Sequence, residues 1–450
     1  MEAGGRLEGL RLDRVGGVAV ITVDAPPVNA LGGTLRAGLV DVLDRLSGDG
    51  TVQTVVLRAE GPLFSAGADI REFDAPRTAP RLGDICRRIE LWPVPVIAVM
   101  QGAALGGGAE LALAAHYRLA GPAARIGLPE VRLGLIPGAG GTQRLPRLIG
   151  AEAAFLLMSE GHSLDAAAAE EIGLVDGVLS DTGLEAVASF AEGLVARGVG
   201  PRPTLAMTDM TAEPALWLAA VAEARQVAAQ SPVPAVRRLC DCVEAALLLP
   251  PEAGLALEED LFGECLAGAE SRALRHLFLA ERRLPAALGT REAGGEVVLS
   301  AAGTAVAARL HGAILQASQA LARDGAAREA IAAALGRMGL GDEPAQPGGQ
   351  GGAALERALM GAVVAEGGRM IDEGTVPGAA AVDVIAVAGA GWPRLSGGPM
   401  HRAAQAGLAG MLRTLESLAE ADGVWDPPGV LREAAKFAGG FAAVGDRRQG

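Results

Sequence analysis

Apolar residues fall along this chain in two rhythms. Short, nearly unbroken runs come first. Residues 18–23 (VAVITV), 52–57 (VQTVVL) and 95–100 (PVIAVM) are rich in β-branched residues and predict buried strands. Between the first two, Leu35, Leu39, Leu43 and Leu46 recur at helical spacing and predict a helix over 34–46. Strands, helices and Gly-containing loops in alternation argue for stacked βα units through the first 285 residues. From about 184 to 283 the rhythm turns helical, with a stop and restart at Pro250 and Pro251. Residues 284–296 (LPAALGTREAGGE) read as a short polar junction. Past it, 301–322 predicts a helix with Val306, Leu310, Ile314 and Leu321 near one face, and 355–372 predicts a second. Gly325 and Gly374 suit the left-handed position that ends such helices. Each long helix is followed by a short apolar one, near Ile331 and near Val384. The pattern predicts a repeat of two helical half-domains, divided by the Gly/Pro-rich segment 342–352.

Composition narrows the field. Half of the 450 residues are hydrophobic, which is ample for large cores, but only 3% are aromatic, so those cores must be built from Ala, Leu, Val and Ile. The net charge of −14 argues against a nucleic-acid partner, because that affinity rests on basic residues neutralising phosphates. Lys436 is the only lysine, so a lysine Schiff-base enzyme is excluded unless Lys436 itself serves. Cys240 and Cys242 lack a second pair or a nearby His for zinc and read, with Cys86 and Cys265, as plain thiols; no metal site is expected. The most apolar stretch, 94–119, is broken by Gln101, three glycines, Glu110 and His116, which disfavours a membrane helix. With no apolar signal core at the N-terminus, the expected setting is cytoplasmic.

Candidate chemistry is densest between 64 and 145. Residues 105–113 (LGGGAELAL) follow a strand and open an apolar helix. Glycines there let a ligand approach the backbone, and a helix start leaves N–H groups unpaired. Glu110, one turn in, is either a solvent-facing residue or a carboxylate kept for use, since burial without a role or a partner would be costly. In 127–131 (GLPEV), Pro129 suits a first helical position and Glu130 suits the helix dipole without any further function. Residues 134–142 (GLIPGAGGT) read as a turn and a helix start. Residues 64–73 (FSAGADIREF) read as a tight turn into a short helix, with a backbone N–H free to donate.

In order and spacing, 64–73, 106–110, 127–130 and 136–144 resemble the signature segments of the crotonase, or enoyl-CoA hydratase, superfamily. The resemblance implies an α/β fold, a crotonase-like ββα spiral over 1–285, and an acyl-CoA thioester as substrate. It implies that the N–H groups of Ala68 and Gly107 form an oxyanion hole and that Glu110 and Glu130 are the two catalytic glutamates. Ala66, Asp69, Ile70, Arg71, Gly106, Pro129 and Gly138 become candidate contacts to substrate or coenzyme A. Arg71 reads equally well as a solvated surface residue.

The resemblance continues. Residues 270–283 (ESRALRHLFLAERR) resemble the helix that leaves the hydratase part of type 1 multifunctional β-oxidation enzymes. Residues 390–400 (AGWPRLSGGPM) resemble the last half-domain of their 3-hydroxyacyl-CoA dehydrogenase. The implied arrangement is an all-α domain over 299–450, joined by a linker, 286–298, where a dinucleotide-binding domain is missing. No G-x-G-x-x-G opens a helix after a strand past Arg283. His311 and His401 are read as structural. The expectation is a lyase that hydrates trans-2-enoyl-CoA, with isomerase side activity through Glu130, no NAD and no hydride chemistry. The alternatives are a Δ3,Δ2-enoyl-CoA isomerase or other crotonase reaction, and a non-catalytic acyl-CoA-binding scaffold. The apolar faces of the helical part must be buried somewhere, and it is expected to be a structural cap that shields the hydratase part or mediates subunit contacts. Monomer and homo-oligomer stay equally open.

Overall fold

The computed structural model describes residues 2–76, 78–292, 295–341 and 352–449. The chain forms two compact units, residues 1–268 and 269–450.

The first unit is a coil of ββα turns between two sheets. Each turn lays one strand in a seven-stranded sheet and the next in a four-stranded sheet. One turn is Thr54–Ala59, Leu63–Ser65 and helix Leu82–Glu90. The next is Val96–Met100, Ala103–Leu105 and helix Gly107–Leu113. A third begins with Tyr117–Ala120 and Arg125–Gly127. Strand Val18–Val23 pairs in parallel with Thr54–Ala59, and that strand with Val96–Met100. All residues of these three strands are buried, which is why the sequence shows continuous apolar runs there rather than alternation. The second strand lies two residues later than the 52–57 run predicts, because Val52 and Gln53 lead into the ladder from a turn. The predicted helix at 34–46 is Gly33–Ser47, with Leu35, Leu39, Leu43 and Leu46 buried. Helices Pro214–Gln230, Pro234–Leu248 and Pro251–Ala267 complete the unit.

The boundary falls at Gly268, not at 285. Helix Ala269–Glu281 belongs to the second unit, where it packs with Ala379–Gly389. Residues 286–298 are more than a linker: Gly289–Arg291 and Val297–Leu299 pair as an antiparallel hairpin. The predicted long helices and the shorter ones after them are Ala301–Arg323 with Arg328–Met338, and Gly352–Asp372 with Ala379–Gly389. Gly325 and Gly374 take the left-handed conformation just past the long helices. All but the last residue of the dividing segment, 342–352, lies outside the described residues. Leu310, Leu359, Val363, Ile385, Leu415 and Leu431 belong to a core inside the unit.

His401 sits in a network that the sequence does not announce. Its ring stacks on His276 at 4.5 Å, and His276 pairs with the buried Asp383 at 2.8 Å. Asp383 accepts the Met400 and His401 amides at the start of helix Pro399–Ala406, so the GGPM segment is a capped helix start. Cys86, Cys240 and Cys242 are buried free thiols and Cys265 is half-buried. Among the described residues no His, Cys, Asp and Glu cluster could hold a metal, and no helix is long and apolar enough to cross a membrane.

Candidate active site

Two glycine turns meet at the ends of neighbouring strands. The first follows Leu63–Ser65. Ser65 Oγ donates to the Asn29 carbonyl and accepts the Gly67 amide, while Leu31 N–H donates to the Gly67 carbonyl at 2.9 Å. The second follows Ala103–Leu105, where Gly106 N–H donates to the Gly127 carbonyl and helix Gly107–Leu113 begins. The turns touch: a Cβ on Gly107 would stand 3.2 Å from the Ala68 nitrogen, and one on Gly67 would stand 3.1 Å from the Gly107 nitrogen. Gly107 N–H sits in a helix's first turn, without an intrahelical acceptor. Neither it nor Ala68 N–H donates to a loop, cap or side-chain acceptor among the described residues. Two adjacent amides are therefore available to one oxygen.

Glu110 lies on the buried helix behind the second turn and is 3% exposed. Its Oε1 accepts the Ala139 and Gly141 amides at 2.7 and 2.9 Å. Burial raises its pKa, and those two amides together with the Arg144 charge oppose the rise. Glu130 stands in the one-turn helix Pro129–Leu133, with Pro129 at its start as read. Its Oε1 is 2.8 Å from where a Gly106 Cβ would be, and its Oε2 is shut from solvent without a hydrogen bond to the protein. Burial pushes its pKa well above the ordinary carboxylate value, and the Glu110 charge pushes it further. The two carboxyls are thus driven apart in proton affinity: Glu110 is held by donors that suit a carboxylate, and Glu130 is left where a neutral acid is favoured.

Gly106 has φ +53°, so two constraints exclude a side chain there: the backbone conformation and the Glu130 carboxyl. Gly106→Ala is expected to push Glu130 aside and lower turnover roughly a hundredfold, the scale of a 1 Å misplacement. Circular dichroism alongside the assay separates that loss from unfolding.

The other predicted residues divide. Ala66 and Ala68 are exposed, Gly107 is buried, and Ile70 is half-buried. Asp69 caps the short helix Ile70–Glu72 by accepting the Arg71 amide, and its carboxylate pairs with the Arg71 guanidinium at 2.7 Å. The Arg71 side chain is 74% exposed. Gly138 lies under the Phe262 ring, which a Cβ there would strike at 2.6 Å, and Phe262 packs edge-on against Phe73. Gly138 therefore makes room for an aromatic wall.

Two buried groups escaped the sequence reading. Glu258, on helix Pro251–Ala267, is 1% exposed and accepts the Gly140 amide through Oε1 and the Thr142 amide and hydroxyl through Oε2. Arg144 is fully buried; it pairs with Glu90 at 2.9 Å and donates to the Ala139 carbonyl. No local signal marks either one. Glu258 sits beside Glu259 in a helix that looks solvated, and only the fold shows which of the two is inside.

Residues 13–197 match the family described as enoyl-CoA hydratase/isomerase. A peroxisomal bifunctional enzyme of Danio rerio is 40% identical over 267 residues, covering 59% of this chain and 37% of its own length. A probable enoyl-CoA hydratase of Bacillus subtilis (strain 168) is 45% identical over 165 residues, covering 35% of this chain and 64% of its own length. The crystal structure of carnitinyl-CoA hydratase from Mycobacterium avium aligns with a TM-score of 0.46 at 27% identity, covering 61% of this chain and 96% of that one. The matched part of this chain thus spans little more than a third of the length of the bifunctional relative. With two glycine turns, a buried and a half-buried glutamate and a coil of ββα repeats, residues 13–197 are a crotonase-fold domain of the enoyl-CoA hydratase/isomerase family.

Proposed function

We propose that this chain adds water across the double bond of trans-2-enoyl-CoA to give 3-hydroxyacyl-CoA. The observation that carries the reading is the convergence of Glu110 and Glu130 beside the paired amide turns. In a conjugated thioester, attack of water at C3 sends negative charge to the thioester oxygen. The Ala68 and Gly107 amides would receive it, and losing one such donor typically costs 10²–10³ in rate. Glu110, as carboxylate, orients the water and takes its proton; Glu130, kept neutral by burial, delivers a proton to C2. Coenzyme A is then part of the substrate, and no further cofactor enters the step. A Δ3,Δ2-isomerase would use Glu130 alone, so a second carboxylate placed by two backbone donors favours hydration.

The reading includes no dehydrogenase activity. Its support is that only a short hairpin lies between helices Ala269–Glu281 and Ala301–Arg323, where the resembling enzymes carry a nucleotide-binding domain. The test is spectrophotometric. Crotonyl-CoA should lose its conjugated-thioester absorbance on adding the protein, and adding NAD should produce no reduced cofactor. Persistent absorbance with folded protein would overturn the hydratase reading; NAD reduction would overturn the second part.

A further inference from the structure

We infer that Glu258 is a positioning residue for hydration, clamping the strap of residues 139–142 by the amides that Glu110 leaves free. This rests on the hydratase reading. The strap's N–H groups alternate between two carboxylates. Those of Ala139 and Gly141 go to Glu110 Oε1, and those of Gly140 and Thr142 go to Glu258 Oε1 and Oε2. The Thr142 hydroxyl adds a third donor to Glu258 at 2.6 Å. Gly140 is left-handed and opens helix Gly141–Ile149, so the amides of 139–142 fan out at a helix start and have no intrahelical acceptors; a single carboxylate would leave half of them unpaired in a buried place, which costs free energy. Two carboxylates satisfy all four and fix the strap, and through it Glu110.

A structural clamp could have been built from neutral acceptors, yet this one is a carboxyl close to the acid–base pair. The titratable and charged groups that act on Glu258, or that it acts on, are Glu110, Glu130, Arg144, Cys86 and Cys242. Burial and the Glu110 charge raise Glu258 to about 8. Once ionised, above that value, it in turn helps to raise Glu130, the group that must keep its proton. Glu258 therefore acts twice: by geometry on Glu110 and by charge on Glu130.

The experiment is the pH dependence of kcat/KM for crotonyl-CoA in the wild type, Glu258→Gln and Glu258→Asp, with thermal melts beside it. Gln keeps the shape, but its NH₂ cannot accept one of the two amides and its charge is gone. Expected are a kcat lower by roughly ten- to a hundredfold with KM little changed, and a basic limb moved to lower pH because Glu130 gives up its proton more easily. Asp keeps the charge and shortens the reach, so its kcat should fall while its basic limb stays in place. A uniform loss with unmoved limbs in Glu258→Gln would reduce Glu258 to a fold residue and overturn the inference; so would wild-type kinetics in either variant. If Glu258→Gln does not fold, Glu258→Asp decides, since full activity there excludes a reach-dependent clamp. An inactive wild type would sink the hydratase reading itself, which is a different result.

Discussion

Glu130→Gln is expected to lower kcat for crotonyl-CoA hydration by roughly 10²–10⁴, the usual worth of a positioned acid, with little change in KM. The amide fills the same space but has no proton of carboxylic acidity for C2. Glu110→Gln should lose a similar amount for the opposite reason, since it can no longer take a proton from water. The pH profile separates the two roles. A base is lost as pH falls through its pKa, and an acid is lost as pH rises through its own. Both pKa values are displaced upward, Glu130 the further, so the wild-type window should lie above the ordinary carboxylate value of 4.5. Glu130→Gln should abolish the basic limb and Glu110→Gln the acidic one, although both limbs belong to a coupled pair. The double variant should fall little below the worse single variant, because the two groups act as a unit. Equal, pH-independent activity in both single variants would show that neither carboxyl moves a proton in the slow step.

The second large effect concerns stability. Arg144→Met should destabilise the first unit by about 3–5 kcal/mol, the scale for removing one partner of a buried ion pair. Glu90, 2% exposed, would keep the Leu205 amide at 2.8 Å as its one side-chain hydrogen bond among the described residues. Arg144 also donates to the Ala139 carbonyl, so the strap would loosen as the pair is lost. Removing both partners should be milder. Chemical denaturation of Arg144→Met, Glu90→Met and the double variant would measure this. Equal losses in all three would mean that packing, not the uncompensated charge, sets the effect.

Much of the site was legible because its signals are local. The turns at 64–73 and 105–113 announce themselves by glycines between a strand and a helix, and Pro129 marks the start of the helix that carries Glu130. The buried strands were legible because parallel strands covered on both faces show unbroken apolar runs. What stayed hidden depends on pairing across long sequence separations. Nothing near Glu258 or Arg144 in the sequence shows that the fold buries them against Thr142 and Glu90. The domain boundary was misplaced for a related reason. Helix Ala269–Glu281 continues the amphipathic pattern of the helices before it, and only its partners assign it to the second unit. The stretch 286–298 is polar and Gly-containing, a composition shared by linkers and by hairpins such as the one found there.

The groups that set the finest distances in this site are main-chain amides: those of Ala68 and Gly107 in the turns, and those of residues 139–142 in the strap. A point substitution cannot delete an amide unless it introduces proline, and it disturbs one only where the added bulk has no room, as at Gly106 and Gly141. Heritable variation at Ala68 or Ala139 therefore alters the lining without erasing the donors. A fold built this way can vary the side chains around the site while its amide donors stay where the backbone puts them.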